Sequence, residues 1–184
     1  GGIPVKIHKE YDEWVPEMVF SNLKAGSNFN DTEDRVVVGT NGVGSTLTNI
    51  FSKEFIIETC DGTKHFAQTF KNNMSERTTP KITNKKTSFT KITYLTDFVR
   101  FGLSGINKNH YLMITKRLID IAACNPTLKI FLNDKPIAFG TFKDYASRYV
   151  TPVFYDQSEH WKIGIGHSTT GFKAISFVNS VETK

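Results

Sequence analysis

Between Val36 and Ser52 the chain reads VVVGTNGVGSTLTNIFS. Three β-branched residues lead into a loop with glycines at 39, 42 and 44, and an amphipathic run follows with no linker. A chain can pass from loop to helix this abruptly only if the loop backbone is free to take conformations that a Cβ forbids. The free N–H groups of a helix start then face the loop, together with the positive end of the helix dipole, which suits an anion. Thr40, Asn41 and Ser45 add side-chain donors. The spacing is G-x-x-G-x-G, which is neither the dinucleotide fingerprint nor a Walker loop with its Gly-Lys-Ser/Thr triplet. Spacing alone leaves two readings open: a phosphate cradle, or a structural loop with Ser45 as N-cap.

Around this loop the pattern mixes strands and helices without regular βαβ alternation, so the fold class is α+β. A short helix is expected over Val15 to Leu23, with Pro16 in its first turn. The stretch from Lys24 to Asp34 reads as loop, and a helix follows from about Ser45. Glu54 to Cys60 and His65 to Phe70 read as a hairpin turned at Asp61-Gly62. Lys71 to Thr87 is polar and basic, with Arg77, Lys81, Lys85 and Lys86. It reads either as a solvated connection between strands or as a phosphate-contacting surface. Ser88 to Leu95 is a further strand. Asn107 to Cys124 is the clearest helix, with Tyr111, Ile114, Leu118, Ile121 and Ala122 on one face and Asn125-Pro126 as its stop. Lys129 to Leu132 and Phe142 to Tyr149 read as a strand and a short helix. Trp161, Ile163 and Ile165 alternate, which places Trp161 in a core. A domain boundary is expected near 151–158.

Charge and composition exclude more than they select. A net charge of +5 permits a polyanion partner without requiring one. No apolar run approaches the ~18 residues of a membrane-spanning helix, and no secretory segment opens the chain. Cys60 and Cys124 fit no metal spacing and read as reduced thiols of an intracellular protein. The five histidines are scattered, and Asp97, Asp120 and Asp144 fall on different elements. No metal site, no carboxylate pair and no catalytic residue is expected. Thr115-Lys116-Arg117 reads as the wet face of the long helix, with Arg117 paired to Asp120 at i+3. The opening Gly1-Gly2-Ile3-Pro4 reads as the interior of a longer protein, with Gly1 fitting a residue left by a cleaved tag.

Several motifs recur in a fixed order: Gly2-Ile3-Pro4-Val5, Val15-Pro16-Glu17, Gly26-Ser27-Asn28-Phe29-Asn30-Asp31, and then Gly39 to Ser52. Further on come Thr115-Lys116-Arg117, Asp120-Ile121-Ala122 and Ile175-Ser176-Phe177-Val178-Asn179-Ser180. This order and spacing resemble the ATPase region of type IIA DNA topoisomerases, of phage, eukaryotic and large-virus kinds, over nearly the whole chain. The resemblance implies part of a Bergerat-type (GHKL) ATPase with a mixed sheet over residues 1–152, and the start of a transducer domain over 153–184. It implies a lid from Gly26 to Gly44, with Ser27 and Asn28 near ribose and phosphates. Thr40, Asn41, Gly42, Val43, Gly44, Ser45 and Thr46 would wrap the triphosphate, and Gly2 would belong to the adenine-side glycine motif. It implies ATP and Mg²⁺ as cofactors. The implied partners are duplex DNA, the remaining topoisomerase domains or subunits, and a second ATPase region in a homodimer. No membrane is implied.

Two positions depart from the family pattern. Thr40 and Thr46 are hydroxyls where cellular enzymes usually carry a basic residue and a Lys. The family's catalytic Glu has no counterpart within these residues, so the chain alone is expected to be inactive in hydrolysis. Two alternatives stand beside this reading. One is another ATPase of the same superfamily, MutL-like or chaperone-like. The other is a non-catalytic basic module that binds DNA or a partner.

Overall fold

The computed structural model describes residues 1–26, 39, 41–137, 140–151 and 153–183. Its α+β structure falls into two compact units, one running to Gly105 and the other beginning at Ile106.

The first unit is organised by a hairpin. β1 (Ser52–Asp61) pairs antiparallel with β2 (Lys64–Lys71), Phe55 opposite Phe70 and Thr59 opposite Phe66. Apolar residues at every second position put Phe55, Ile57, Phe66 and Phe70 on one face, where each is at most 1% exposed. Asp61 closes the turn. Its Oδ1 accepts the N–H groups of Thr63 (2.9 Å) and Lys64 (2.8 Å), while Oδ2 accepts that of Val5 (3.0 Å). Those bonds, the Lys64 amide first, hold its carboxyl well below the usual carboxylate range. Asp61 therefore ties the opening segment to the hairpin as well as capping its turn.

The expected strand at 88–95 is β5 (Ser88–Thr96), antiparallel to β1. The basic connection is not featureless. β3 (Glu76–Arg77) and β4 (Lys81–Asn84) both pair with β2, giving the sheet order β3-β2-β1-β5 with β4 beside β2. Residues 72–74 turn the chain with positive φ.

α1 (Val15–Ser21) opens with Pro16 and packs Phe20 onto Phe55, ring centroids 5.6 Å apart. Trp14 reaches Phe66 at 6.5 Å. Val5, Phe20 and the four sheet residues form the core, with Ile3, Val19, Met74, Ile82 and Ile92 at its margin. One buried polar contact seats α1: Glu17 accepts from Gln68 (3.0 Å) and pairs with Arg77 (3.0 Å).

In the second unit α3 (Lys108–Cys124) begins with a capping box, Asn107 Oδ1 accepting the His110 N–H at 3.0 Å. Its C-terminal half packs; Tyr111 and Ile114, expected on the buried face, are 44% exposed. β6 (Ile130–Leu132) and β7 (Lys135–Ile137) form a hairpin over Asn133-Asp134. α4 (Phe142–Ala146) follows, then the hairpins β8 (Phe154–Gln157) with β9 (Lys162–Ile165) and β10 (Ser176–Val178) with β11 (Val181–Thr183). Trp161 stands just before β9 and is half exposed, against its expected place in a core.

This unit is joined by polar contacts. Asp120, 1% exposed, accepts from Lys116 (2.8 Å) and from the Tyr145 hydroxyl (2.8 Å). Lys116 also meets Glu182 on β11 at 3.0 Å. Arg117 does not pair with Asp120 as expected. The i+4 position lies nearer the Lys116 row of the helix, and Arg117 donates instead to the Ser180 carbonyl at 2.6 Å. Burial, and then the bonds to Tyr149 and Asp120, push the Tyr145 hydroxyl far above the ordinary tyrosine range. Among the described residues no helix is long and apolar enough to cross a membrane.

Candidate anion-binding loop

The glycine loop ends in α2 (Gly44–Ile50), which runs into the Ser52 end of β1. Gly42 and Gly44 serve different ends. Gly42 has φ +59°, and a Cβ there would lie 2.6 Å from the Gly26 nitrogen and 3.0 Å from the Lys24 carbonyl carbon. Its carbonyl accepts the Lys24 N–H at 2.9 Å. Gly42 is therefore glycine because two backbone segments meet there. At Gly44 a Cβ would meet no atom within 4 Å. Packing among the described residues does not demand its lack of a side chain, and none of them fills the space in front of it.

The α2 side chains turn away from that space. Ser45 Oγ donates to the Val19 carbonyl (2.9 Å), Thr46 Oγ1 to that of Asn22 (2.9 Å) and Asn49 Nδ2 to that of Phe20 (3.0 Å). Thr46 and Asn49 are fully buried. Carbonyls of the last turn of α1 that lack an i+4 partner thus receive side-chain donors from α2. The expected donor from Ser45 is committed to α1. What remains at the loop is backbone: the N–H groups of Gly44, Ser45 and Thr46 have no hydrogen bond among the described residues. Val43 is the N-cap and supplies no side-chain acceptor. Asn41 is exposed beside them.

The structure brings Asn41, Gly42, Val43, Gly44, Ser45 and Thr46 together. Gly2 lies elsewhere, at the Cys60 end of β1, where a Cβ would sit 1.7 Å from the Cys60 carbonyl oxygen. Its N–H donates to Ser88 Oγ at 3.0 Å. Ser27, Asn28 and Thr40 lie outside the described residues. Asn49 was not among the residues expected at the site. Its signal was an amide on the apolar side of the run, and its Oδ1 has no partner among the described residues.

Three N–H groups that have no partner among the described residues can hold an anionic oxygen by hydrogen bonds, at fixed positions and without a counter-charge. Residues 39–52 contain no carboxylate and no His, so this loop offers no general base. Among the described residues no group of three His, Cys, Asp or Glu could hold a metal ion.

No protein-family model matches the chain. Individual proteins do. A probable DNA topoisomerase 2 of Dictyostelium discoideum is 39% identical over 194 residues, which is 99% of this chain and 13% of that protein. The DNA topoisomerase 2 of Acanthamoeba polyphaga mimivirus is 40% identical over 195 residues, 99% of this chain and 15% of the other. The crystal structure of the ATPase region of Saccharomyces cerevisiae topoisomerase II superimposes with a TM-score of 0.91 at 36% identity, covering 99% of this chain and 50% of that one. The ATPase and transducer domains of DNA topoisomerase II from Balamuthia mandrillaris give 0.90 at 36%, covering 98% and 49%.

The α+β fold with this glycine loop is that of the topoisomerase II ATPase region. The chain is a homologue of the type II DNA topoisomerases. It spans 13–16% of the length of the curated relatives it matches and about half of the solved ATPase-region chains.

Proposed function

We propose that this chain is the phosphate-holding and relay portion of an ATP-dependent type II DNA topoisomerase. The observation that carries the proposal is the trio of N–H groups at Gly44, Ser45 and Thr46, which among the described residues have no partner and, at Gly44, no atom in front of them. The residues present fit the phosphates of a nucleotide: the donors are neutral, fixed and open. Bound ATP would supply the free energy of hydrolysis. The chain's part is to orient the triphosphate on the N–H groups from Gly44 onward, with Asn41 at the mouth and Thr40, Ser27 and Asn28 contributing from the lid. Gly2 would let the adenine-side segment lie flat against β1. No group of three His, Cys, Asp or Glu among the described residues could hold Mg²⁺, and no step is routed through it.

Residues 153–184 would begin the transducer. In that reading, nucleotide binding would favour pairing of two ATPase regions, and the paired state would capture a DNA segment for passage through a double-strand break. Duplex DNA, the remaining enzyme domains and a second copy of the ATPase region are the partners, inside whichever compartment holds the DNA. Fit along 99% of the chain supports this reading over a MutL-like, chaperone-like or non-catalytic one.

The test is calorimetric titration with a non-hydrolysable ATP analogue. Gly44→Val is the probe, since a Cβ there meets no atom of the described residues within 4 Å. Saturable binding in the parent chain and its loss in a folded Gly44→Val variant are expected. Unchanged binding in that variant would remove the loop from the nucleotide site.

A further inference from the structure

The chain carries 23 Lys and Arg against 18 Asp and Glu. That excess of five is not spread out. From Arg77 to Thr96 there are five cations (Arg77, Lys81, Lys85, Lys86 and Lys91) and no acid, so the rest of the chain is formally neutral. The same stretch holds seven Thr and one Ser.

The fold gathers these residues onto the sheet face opposite the core and onto its β4 margin. Across the ladders Lys81, Ala67, Glu58 and Lys91 form one row, and Thr83, His65, Cys60 and Phe89 the next. Lys85 Nζ lies 5.1 Å from the Phe89 ring centroid, which sets it over that second row. Lys64 stands opposite Asn84 at the end of the β2–β4 ladder. Arg77 and Lys91 are committed to Glu17 and Glu58. Lys64, Lys81, Lys85 and Lys86 are exposed and form no ion pair among the described residues. Asp61, the acid nearest Lys64 in sequence, has both oxygens occupied by N–H groups and a hydroxyl; of the acids that flank the stretch, Glu76 accepts from Asn72 and Asp97 pairs with Lys53 and Arg100.

Lysine on an edge strand also discourages edge-to-edge pairing. That need is met by one or two charges and does not empty twenty residues of acid. We infer that the β4 margin and the outer face beside it, with Lys64, Lys81, Lys85 and Lys86, form a sequence-blind docking surface for the phosphate backbone of duplex DNA. The choice of duplex DNA rests on the function proposed above. Lys81 and Lys85 are four residues apart, about 13 Å along an extended strand, a span that reaches several backbone phosphates of one duplex strand. Lysine ammonium groups and threonine hydroxyls offer point contacts to phosphate and no planar readout of bases.

The test is salt-dependent binding of a short labelled duplex of arbitrary sequence to the full chain. A triple Lys81→Ser/Lys85→Ser/Lys86→Ser variant is compared with Lys6→Ser/Lys9→Ser/Lys173→Ser, which removes the same charge from exposed sites elsewhere. The edge variant is expected to bind about tenfold or more weakly at low salt, with the log–log salt slope reduced by about 3, while the other keeps its slope. Lys→Gln at the same three edge positions keeps much of the stem and guards against an edge that self-associates; it must show the same loss. Equal weakening in both triple variants, or no saturable binding by the parent chain, overturns the inference. Titrating the edge variant with the ATP analogue separates the two proposals. Retained nucleotide binding with lost DNA binding supports both, whereas DNA binding through this edge by a chain that holds no nucleotide sinks the proposed ATP site alone.

Discussion

The two units hold themselves together by different means. In the first, Phe55, Ile57, Phe66 and Phe70 are essentially inaccessible, on ladders of seven and nine residue pairs. In the second, the buried apolar side chains among the described residues are Ala122, Ala123 and Tyr145, and the hub is a carboxylate. Phe172, Met113 and Phe154 are 93%, 69% and 67% exposed there. Apolar burial is non-directional and tolerates solvent conditions, whereas hydrogen bonds to a buried charge depend on every partner being in place. The contrast teaches where each unit is vulnerable: the first to lost volume, the second to lost partners.

The largest effect should come from Phe66→Ala. Removing a fully buried phenyl ring next to Trp14 should cost about 3–5 kcal/mol. Hydrogen exchange should show protection lost through β1 and β2 with the amides of α3 unchanged. Uniform loss in both units would dissolve the contrast. Asp120→Ala comes next, at about 2–3 kcal/mol, since it takes the buried acceptor from the Tyr145 hydroxyl, which keeps Tyr149, while Lys116, half exposed, keeps Glu182 and solvent. Tyr145→Phe in the Asp120→Ala background should then add little, and denaturant unfolding of both variants checks it. An additive double variant would mean that the two groups do not act as a pair.

A smaller test uses acid and works against the first unit. Asp61 has a depressed pKa in the folded chain. Its contribution is therefore complete above the ordinary carboxylate range, around pH 4, and is lost as pH falls through that range toward the folded value. The protection factors of the Val5, Thr63 and Lys64 amides, taken against intrinsic exchange at each pH, should fall on acidification, and Asp61→Asn should remove that fall. Protection factors that are flat with pH in the parent chain would show that the turn holds without the charge.

The hairpin was legible because its signals are local: alternation in β1 and β2 and a turn residue whose side chain serves its own turn. α3 was legible from its cap at Asn107 and its stop at Asn125-Pro126. Partner choice was not. Nothing in the sequence said that Lys116 rather than Arg117 would hold Asp120, since both spacings are allowed on a helix and β11 decided between them. Ser45 read as a cap or a ligand donor and Thr46 as a phosphate residue. Their hydroxyls go to carbonyls more than twenty residues away, which no local pattern encodes. β3 and β4 were hidden because two- and four-residue edge strands carry too few residues to show a period. The order of the glycine motifs pointed to the right family, because those positions are set by backbone clearance. Gly42 and Gly2 both leave no room for a methyl group.

The stitching of α2 to α1 has a mechanical consequence. Lys24 and Gly42 are joined backbone to backbone, and within eight residues Ser45, Thr46 and Asn49 are fastened to the end of α1. Residues 24 and 42 are thus riveted to one plate. A pull on either loads the rivets in shear and reaches β1 only after they yield. The glycine loop can be tugged from outside while the sheet beneath keeps its register.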